Sequence, residues 1–311
     1  MLRLLLELVP TLLIGLALGW RWPALAERCA PWLLRWGMPI SLAGMVLRAG
    51  LQPRLAWIAL VTALVCGGAV LALNRWRHLD HCLPTGALRL GAVVGNTGYL
   101  GLPVALALLP SKALPVSITI DLIGTLITWG LGPLLLHGRA RGGLRSLVPL
   151  LWRSPVLRAV VLALPMAISP WAAWFGSWLW WPSRCLLWLL LVLIGTRLAE
   201  LLRQLSNEQA AGSWGQVVPA LLSKLVIWPL LMGAMACLAG ASAPVLAAVV
   251  LQAAQPSAMS VVLLAEGVAG PRRLVEVQSA TRVVLISTVL SALTLPLWWQ
   301  ALRWFVPDLA P

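Results

Sequence analysis

The sequence predicts an all-α polytopic membrane protein, and three observations carry that prediction. Of its 311 residues, 60% are hydrophobic and only 10% are charged, against about 45–50% and about 25% in soluble domains. The apolar residues fall in repeated long runs, the mark of bilayer-spanning helices. The basic residues lie between those runs, where membrane topology calls for them. The formal net charge of +14 is therefore read as loop arginine, with the lipid bilayer as partner and no nucleic acid.

Taken in order, the apolar runs place the first five spans near Leu2–Trp20, Trp32–Leu47, Leu55–Leu73, Leu88–Leu109 and Pro115–Leu136. The second five lie near Pro155–Ile168, Arg184–Leu201, Val217–Leu238, Val245–Gly267 and Val275–Leu302. The first run could pass for a signal peptide, but Glu7 and Pro10 interrupt it and no A-x-A cleavage pattern follows, so it is expected to be a retained span. Ten spans sort the 23 Lys and Arg residues into seventeen on one face, Lys224 among them, and six on the other: Arg3, Arg48, Arg54, Lys112, Arg184 and Arg303. The positive-inside rule then puts both termini outside and the central Arg139–Arg153 loop in the cytoplasm. Trp171, Trp174, Trp178, Trp180 and Trp181 crowd the connection after span six. They are expected to form an interfacial belt, since amphipathic rings favour the headgroup level.

The halves echo one another. Pro10 has a counterpart in Pro165, 155 residues later, and Pro103 in Pro256, 153 residues later. Five helices per repeat is an odd number, so a second copy enters the membrane from the opposite side. The expected organisation is a first repeat over 1–137, a basic linker over 138–154 and a second, inverted repeat over 155–311.

Span four contains the anomaly. In "RLGAVVGNTGYLGLPVALALLP", residues 89–110, Gly95, Asn96, Thr97, Gly98, Gly101 and Pro103 crowd into nine positions. Span nine carries Gln255, Pro256 and Ser257. Interrupted backbone at membrane depth is tolerated only where protein or a water-filled cavity satisfies it. Two such breaks in corresponding spans point to a substrate site, where a half-helix N-terminus can attract an anion. Asn96, Thr97, Gln255 and Ser257 would add directional hydrogen bonds.

"GNTGYLGLP" (95–103) resembles the N-T-G-[FY]-[LIM]-G-[LI]-P signature of the auxin efflux carrier family in its short prokaryotic form. "LQAAQPSAMSVVLLAEGVAG" (251–270) is similar to that family's second crossover segment, with its P-S-A core, and "VLISTVLSALTLPLWW" (284–299) to its last helix. The resemblance covers nearly the whole chain. It implies ten helices in two inverted repeats crossing at spans four and nine, and secondary transport of small organic anions, often carboxylates, by an elevator-like motion. It also implies a bacterial plasma membrane. Carried over by motif, Asn96, Thr97, Gly98, Gly101 and Pro103 line one crossover, and Pro256, Ser257 and Ala258 the other. Many relatives carry an asparagine where this chain has Ser260, and a hydroxyl offers one donor where an amide offers two.

Among the acids, Asp121 in "SITIDLIGTLITWG" is expected within the membrane, where a carboxyl group belongs to a proton or sodium pathway or to a hydrogen bond with a neighbouring helix, unless it lies near the outer interface. Glu266, at the cytoplasmic end of span nine, is a gate candidate. "HLDHC" (78–82) offers metal-ligand types in one compact run of a basic loop, and is read as a solvated turn, with no metal site expected. Five scattered cysteines without a C-x-x-C pair read as small hydrophobes. An intramembrane enzyme would need a nucleophile with a base, or H-E-x-x-H. The histidines (His78, His81 and His137) fall in loops or at a helix end, and there is no G-x-x-x-x-G-K-[ST]. A non-enzymatic carrier without a cofactor is expected. A homodimer, ion-coupled transport of a non-carboxylate solute on the same scaffold, and a membrane protein that does not transport stay open.

Overall fold

Every regular element among the described residues is helical, apart from one isolated bridge. The computed structural model describes residues 2–23, 28, 32–49, 53–136, 155–206 and 214–305. The central basic loop, the 138–154 linker, His137 and Cys29 lie outside the described residues. The helices are α1 (Leu2–Arg21), α2 (Met38–Ala49), α3 (Pro53–Arg75), α4 (Gly86–Gly91), α5 (Leu102–Leu108), α6 (Leu114–Leu136) and α7 (Pro155–Ile168). They continue with α8 (Ala172–Ser206), α9 (Val218–Leu222), α10 (Trp228–Leu238), α11 (Ala243–Ala253), α12 (Ser260–Glu266) and α13 (Arg272–Phe305).

Five stretches among the described residues are long and apolar enough to cross a bilayer: Leu55–Arg75, Ser111–Leu136, Ala172–Glu200, Val218–Leu238 and Arg272–Phe305. Thr97–Leu108 and Ala243–Ala253 are apolar but shorter, because each is one arm of an interrupted helix. Leu64, Leu231, Leu293 and Leu297 are exposed on these helices, as lipid-facing side chains are. The chain is an all-α integral membrane protein.

Packing groups Met1–Leu55 with Leu151–Ala211, and Ala56–Leu150 with Gly212–Pro311. Compactness and internal repetition are different properties, so this division leaves the repeat boundaries at 137 and 155 untouched.

In the first unit α1 lies against α8 through small residues. A side-chain carbon on Gly15 would overlap the Val192 carbonyl oxygen, and one on Gly195 the Leu12 carbonyl oxygen. One turn on, Gly19 faces Thr196 and Ala199. Without a hydrophobic force between helices in lipid, such close backbone approach is what holds them. Replacing Gly195 with valine is expected to destabilise the protein by about 1–3 kcal/mol, measured as a lower unfolding midpoint in detergent; an unchanged midpoint would show that the contact is slack. Arg203 donates to the Trp20 carbonyl and its guanidinium lies 5.3 Å over the Trp20 ring, closing the C-terminal end of α1.

One expectation is corrected here. The tryptophan cluster does not occupy a connection: Trp174, Trp178, Trp180 and Trp181 are on α8, which runs unbroken for 35 residues past Pro182. Between Ala172 and Arg184 only Gly176 and Pro182 oppose a helix, and a single proline bends one more readily than it ends it. Trp174, Trp178 and Trp181 are exposed along it, so the cluster is one end of a long helix.

The second unit holds α4–α6, α9–α13 and α3 from Ala56 onward. Its core is built of small residues, with Ala87, Val104, Ala247, Ala248, Ala254, Val261 and Ala265 buried. Short side chains let the interrupted helices pack closely. Between α9 and α10 the helix widens into a π-turn at Ser223–Ile227. Pro229 follows and has no N–H for the Leu225 carbonyl four residues back; the Trp298 indole N–H donates to that carbonyl instead, at 2.9 Å.

Candidate functional site

Span four stops at Gly91 and resumes with a π-turn at Thr97–Gly101 that runs into α5. Span nine stops at Ala253 and resumes at Ser260. Between those ends the two interrupted backbones bond to each other. The Asn96 N–H donates to the Pro256 carbonyl at 2.7 Å, and the Ala258 N–H to the Val94 carbonyl at 3.1 Å. The result is a one-bridge antiparallel pairing of Gly95 with Ser257. Two hydroxyls complete it. Ser257 Oγ donates to the Gly91 carbonyl at 2.7 Å, at the end of α4, and the Ser257 N–H donates to Ser287 Oγ of α13 at 3.0 Å. Proline suits position 256, because a residue without an N–H leaves no buried donor unpaired. Pro103 sits at the start of α5, where a missing N–H costs least.

The turn after the first break is enclosed by polar groups. Thr97 Oγ1 donates to Asp121 Oδ1 of α6 at 2.6 Å. A side-chain carbon on Gly98 would stand 3.0 Å from the same oxygen, and one on Gly101 would overlap the Gln252 amide oxygen. Glycine at both positions lets the turn sit between Asp121 and Gln252. Asp121 is 1% exposed, Gln252 1% and Gln255 0%. Gln255 Nε2 donates to the Leu251 carbonyl at 2.9 Å. Asp121 Oδ2, Gln255 Oε1 and both amide atoms of Gln252 have no hydrogen-bond partner. Unsatisfied buried polar groups cost about 1–3 kcal/mol each, and four such atoms close to one turn are unusual for a purely structural junction.

Charge is arranged differently from the sequence-based expectation. The half-helix N-terminus at Thr97, anticipated as the anion seat, is faced by the Asp121 carboxyl group, since a helix's positive end favours the nearest carboxylate. Lys224, expected on a cytoplasmic loop face, is 0% exposed. Its ammonium donates to the Ala253 carbonyl at the end of α11, at 2.5 Å, and lies 3.2 Å from where a Gly95 side-chain carbon would be. Beside it, Ser223 Oγ donates to the Ala92 carbonyl at 3.1 Å. A cavity of about 30 Å³, the space of roughly one water molecule, is lined by Cys66, Gly95, Thr97, Gln252 and Ala253 among others.

The other anticipated residues divide. Asn96 is buried, and its carbonyl accepts from the Leu100 and Gly101 N–H groups at 3.2 and 3.0 Å. Ser260 opens α12 and takes no part in the hydrogen bonds of the crossing. Glu266 is exposed at the end of α12, away from these bonds. Two residues were missed. Gln252 lies three positions before Gln255, a helical spacing that shares a face, and that was the available signal. Glu276 of α13 accepts from the Gly86 and Ala87 N–H groups at 3.1 and 2.8 Å, while Thr85 Oγ1 accepts from Leu88 at 3.2 Å. Together they satisfy the N-terminus of α4. Nothing local marks Glu276. It borders a larger cavity of about 710 Å³, together with Asp80, Arg89 and Arg272. Asp80, from the "HLDHC" run, forms an ion pair with Arg89 at 2.6 Å, while His78, His81 and Cys82 are exposed.

Fold and site define an integral membrane protein of helices, two of them interrupted and joined at their breaks. No protein-family model matches the chain, and no curated protein sequence matches it.

Proposed function

We propose that this protein is a secondary carrier of small organic anions, carboxylates in particular. Ten spans form two inverted five-helix repeats, and access alternates around the joined breaks of spans four and nine. Both termini lie outside a bacterial plasma membrane and the Arg139–Arg153 loop lies in the cytoplasm. The observation that carries this reading is the crossing itself. Two helices break where Asn96 donates to Pro256 and Ala258 to Val94, and the break leaves buried, unsatisfied polar atoms around one turn. Breaks of this kind at membrane depth accompany substrate and ion sites in carriers. The likeness of residues 95–103 and 251–270 to auxin efflux carrier motifs supports the same reading. A cavity of about 30 Å³ is smaller than any organic anion, so occupancy requires the crossing to open.

A second reading, ion-coupled transport of a solute that is not a carboxylate, is favoured by one feature. Asp121 Oδ2 and Gln255 Oε1 are acceptors, suited to a cation or a hydrogen-bond donor. A thermal-stability screen of purified protein against mono- and dicarboxylates, amines and neutral solutes at two pH values separates the two. A bound solute at a hundred times its Kd stabilises by about 2.7 kcal/mol, a rise of several degrees in midpoint. Carboxylates alone are expected to give it. Stabilisation by amines or neutral solutes only would favour the second reading, and none by any solute would end the carrier proposal.

A further inference from the structure

We infer that Lys224 is the charge partner of the transported anion, its ammonium receiving the carboxylate head at the crossing. The inference rests on the carrier reading and names the residue that would make its site selective for anions. An ammonium has three N–H donors. Lys224 uses one, on the Ala253 carbonyl, and among the described residues it makes no ion pair. The partial negative charge at the C-terminal end of α11 offsets only part of a buried charge. A fully buried, uncompensated ion is costly, while a carboxylate arriving beside it gains a short, charge-assisted bond.

The local sequence puts the ammonium there. The π-turn at Ser223–Ile227 adds a residue to span eight, turning Lys224 and Leu225 inward while Leu222, Val226 and Ile227 remain exposed. Gly95 removes the side chain that would otherwise stand 3.2 Å from the ammonium. A lysine serving only as a helix cap does not need the extra residue. Gly95 and Ala253, beside the ammonium, also line the small cavity, together with Thr97.

Cys66 lines the same cavity as Gly95 and Ala253, which supplies a native reporter and removes the need to know the substrate. Full-length protein in liposomes is treated with an anionic (sulfonate) or a cationic (trimethylammonium) methanethiosulfonate reagent, and modification of Cys66 is followed by peptide mass spectrometry. With each rate taken relative to the same reagent's rate on a free thiol in solution, because an anionic thiolate intrinsically favours the cationic reagent, the anionic reagent is expected to react about tenfold faster, as charge-lined clefts do to incoming ions. Lys224→Gln is expected to abolish that preference and Lys224→Arg to keep it. Equal relative rates for the two reagents in the wild-type chain overturn the inference, whether or not the glutamine variant folds, and so does a preference that survives Lys224→Gln. Both of those results leave the carrier reading standing. Failure of either reagent to reach Cys66 from either side is a different result: the crossing does not open to water, and the carrier reading falls together with the inference.

Discussion

Asp121→Asn is expected to yield a carrier that equilibrates its solute but no longer concentrates it, with uptake independent of pH. The amide oxygen of asparagine can accept the Thr97 hydroxyl as Asp121 Oδ1 does at 2.6 Å, so the Thr97–Gly101 turn keeps its support. What is lost is a group able to exchange a proton. Asp121 is buried, one of its oxygens has no partner, and its carboxyl faces the turn at the heart of the crossing. An intramembrane carboxyl in such a position is a natural coupling group. Uptake into proteoliposomes across a series of pH gradients is the measurement. Retention of the wild-type pH profile by the asparagine variant would remove Asp121 from the coupling path, and dependence on a sodium gradient instead would identify the other candidate ion.

The second large effect is expected from Asn96→Ala. The backbone of Asn96 makes the crossing, through its N–H to Pro256 and its carbonyl to Leu100 and Gly101, and alanine preserves all three bonds. The chain should therefore insert and fold. The buried side-chain amide is what disappears. A hydrogen bond to a charged group is worth about 1.5–3 kcal/mol, which corresponds to about a ten- to 150-fold loss of affinity. Loss of uptake with an unchanged thermal midpoint is the expected pair of results. Uptake at the wild-type rate would take Asn96 out of the substrate site, and a collapsed midpoint would make its role structural.

The two acids and the lysine show why the site was only half legible beforehand. Gly95, Asn96, Thr97, Gly98 and Pro103 stand out against an apolar run because glycine, proline and amides oppose a helix wherever they occur. Pro256 does the same in span nine. A crossing of those breaks could be anticipated from that; the place of Asp121 beside them could not. Nor could Lys224. Its charge counted toward the cytoplasmic face because loop position was inferred from the ends of apolar runs, and a π-turn that adds a single residue leaves no trace in composition. Gln252 and Glu276 likewise look like ordinary helix residues. Their roles arise from Gly101, 151 positions away in the chain, and from Gly86, 190 positions away.

Membership in the class of helical membrane proteins follows from local composition, because transfer of apolar side chains into lipid is decided segment by segment. The same is true of the positions at which two helices break, since a backbone that cannot continue as a helix announces itself in its own residues. Tertiary structure alone decided which buried groups meet there. It set Asp121 against one side of the Thr97–Gly101 turn and Lys224 behind Gly95, and it ran α8 through the tryptophans. Those outcomes depend on contacts between segments far apart in the chain, and on the need of each interrupted backbone to find hydrogen bonds where no water is present to supply them.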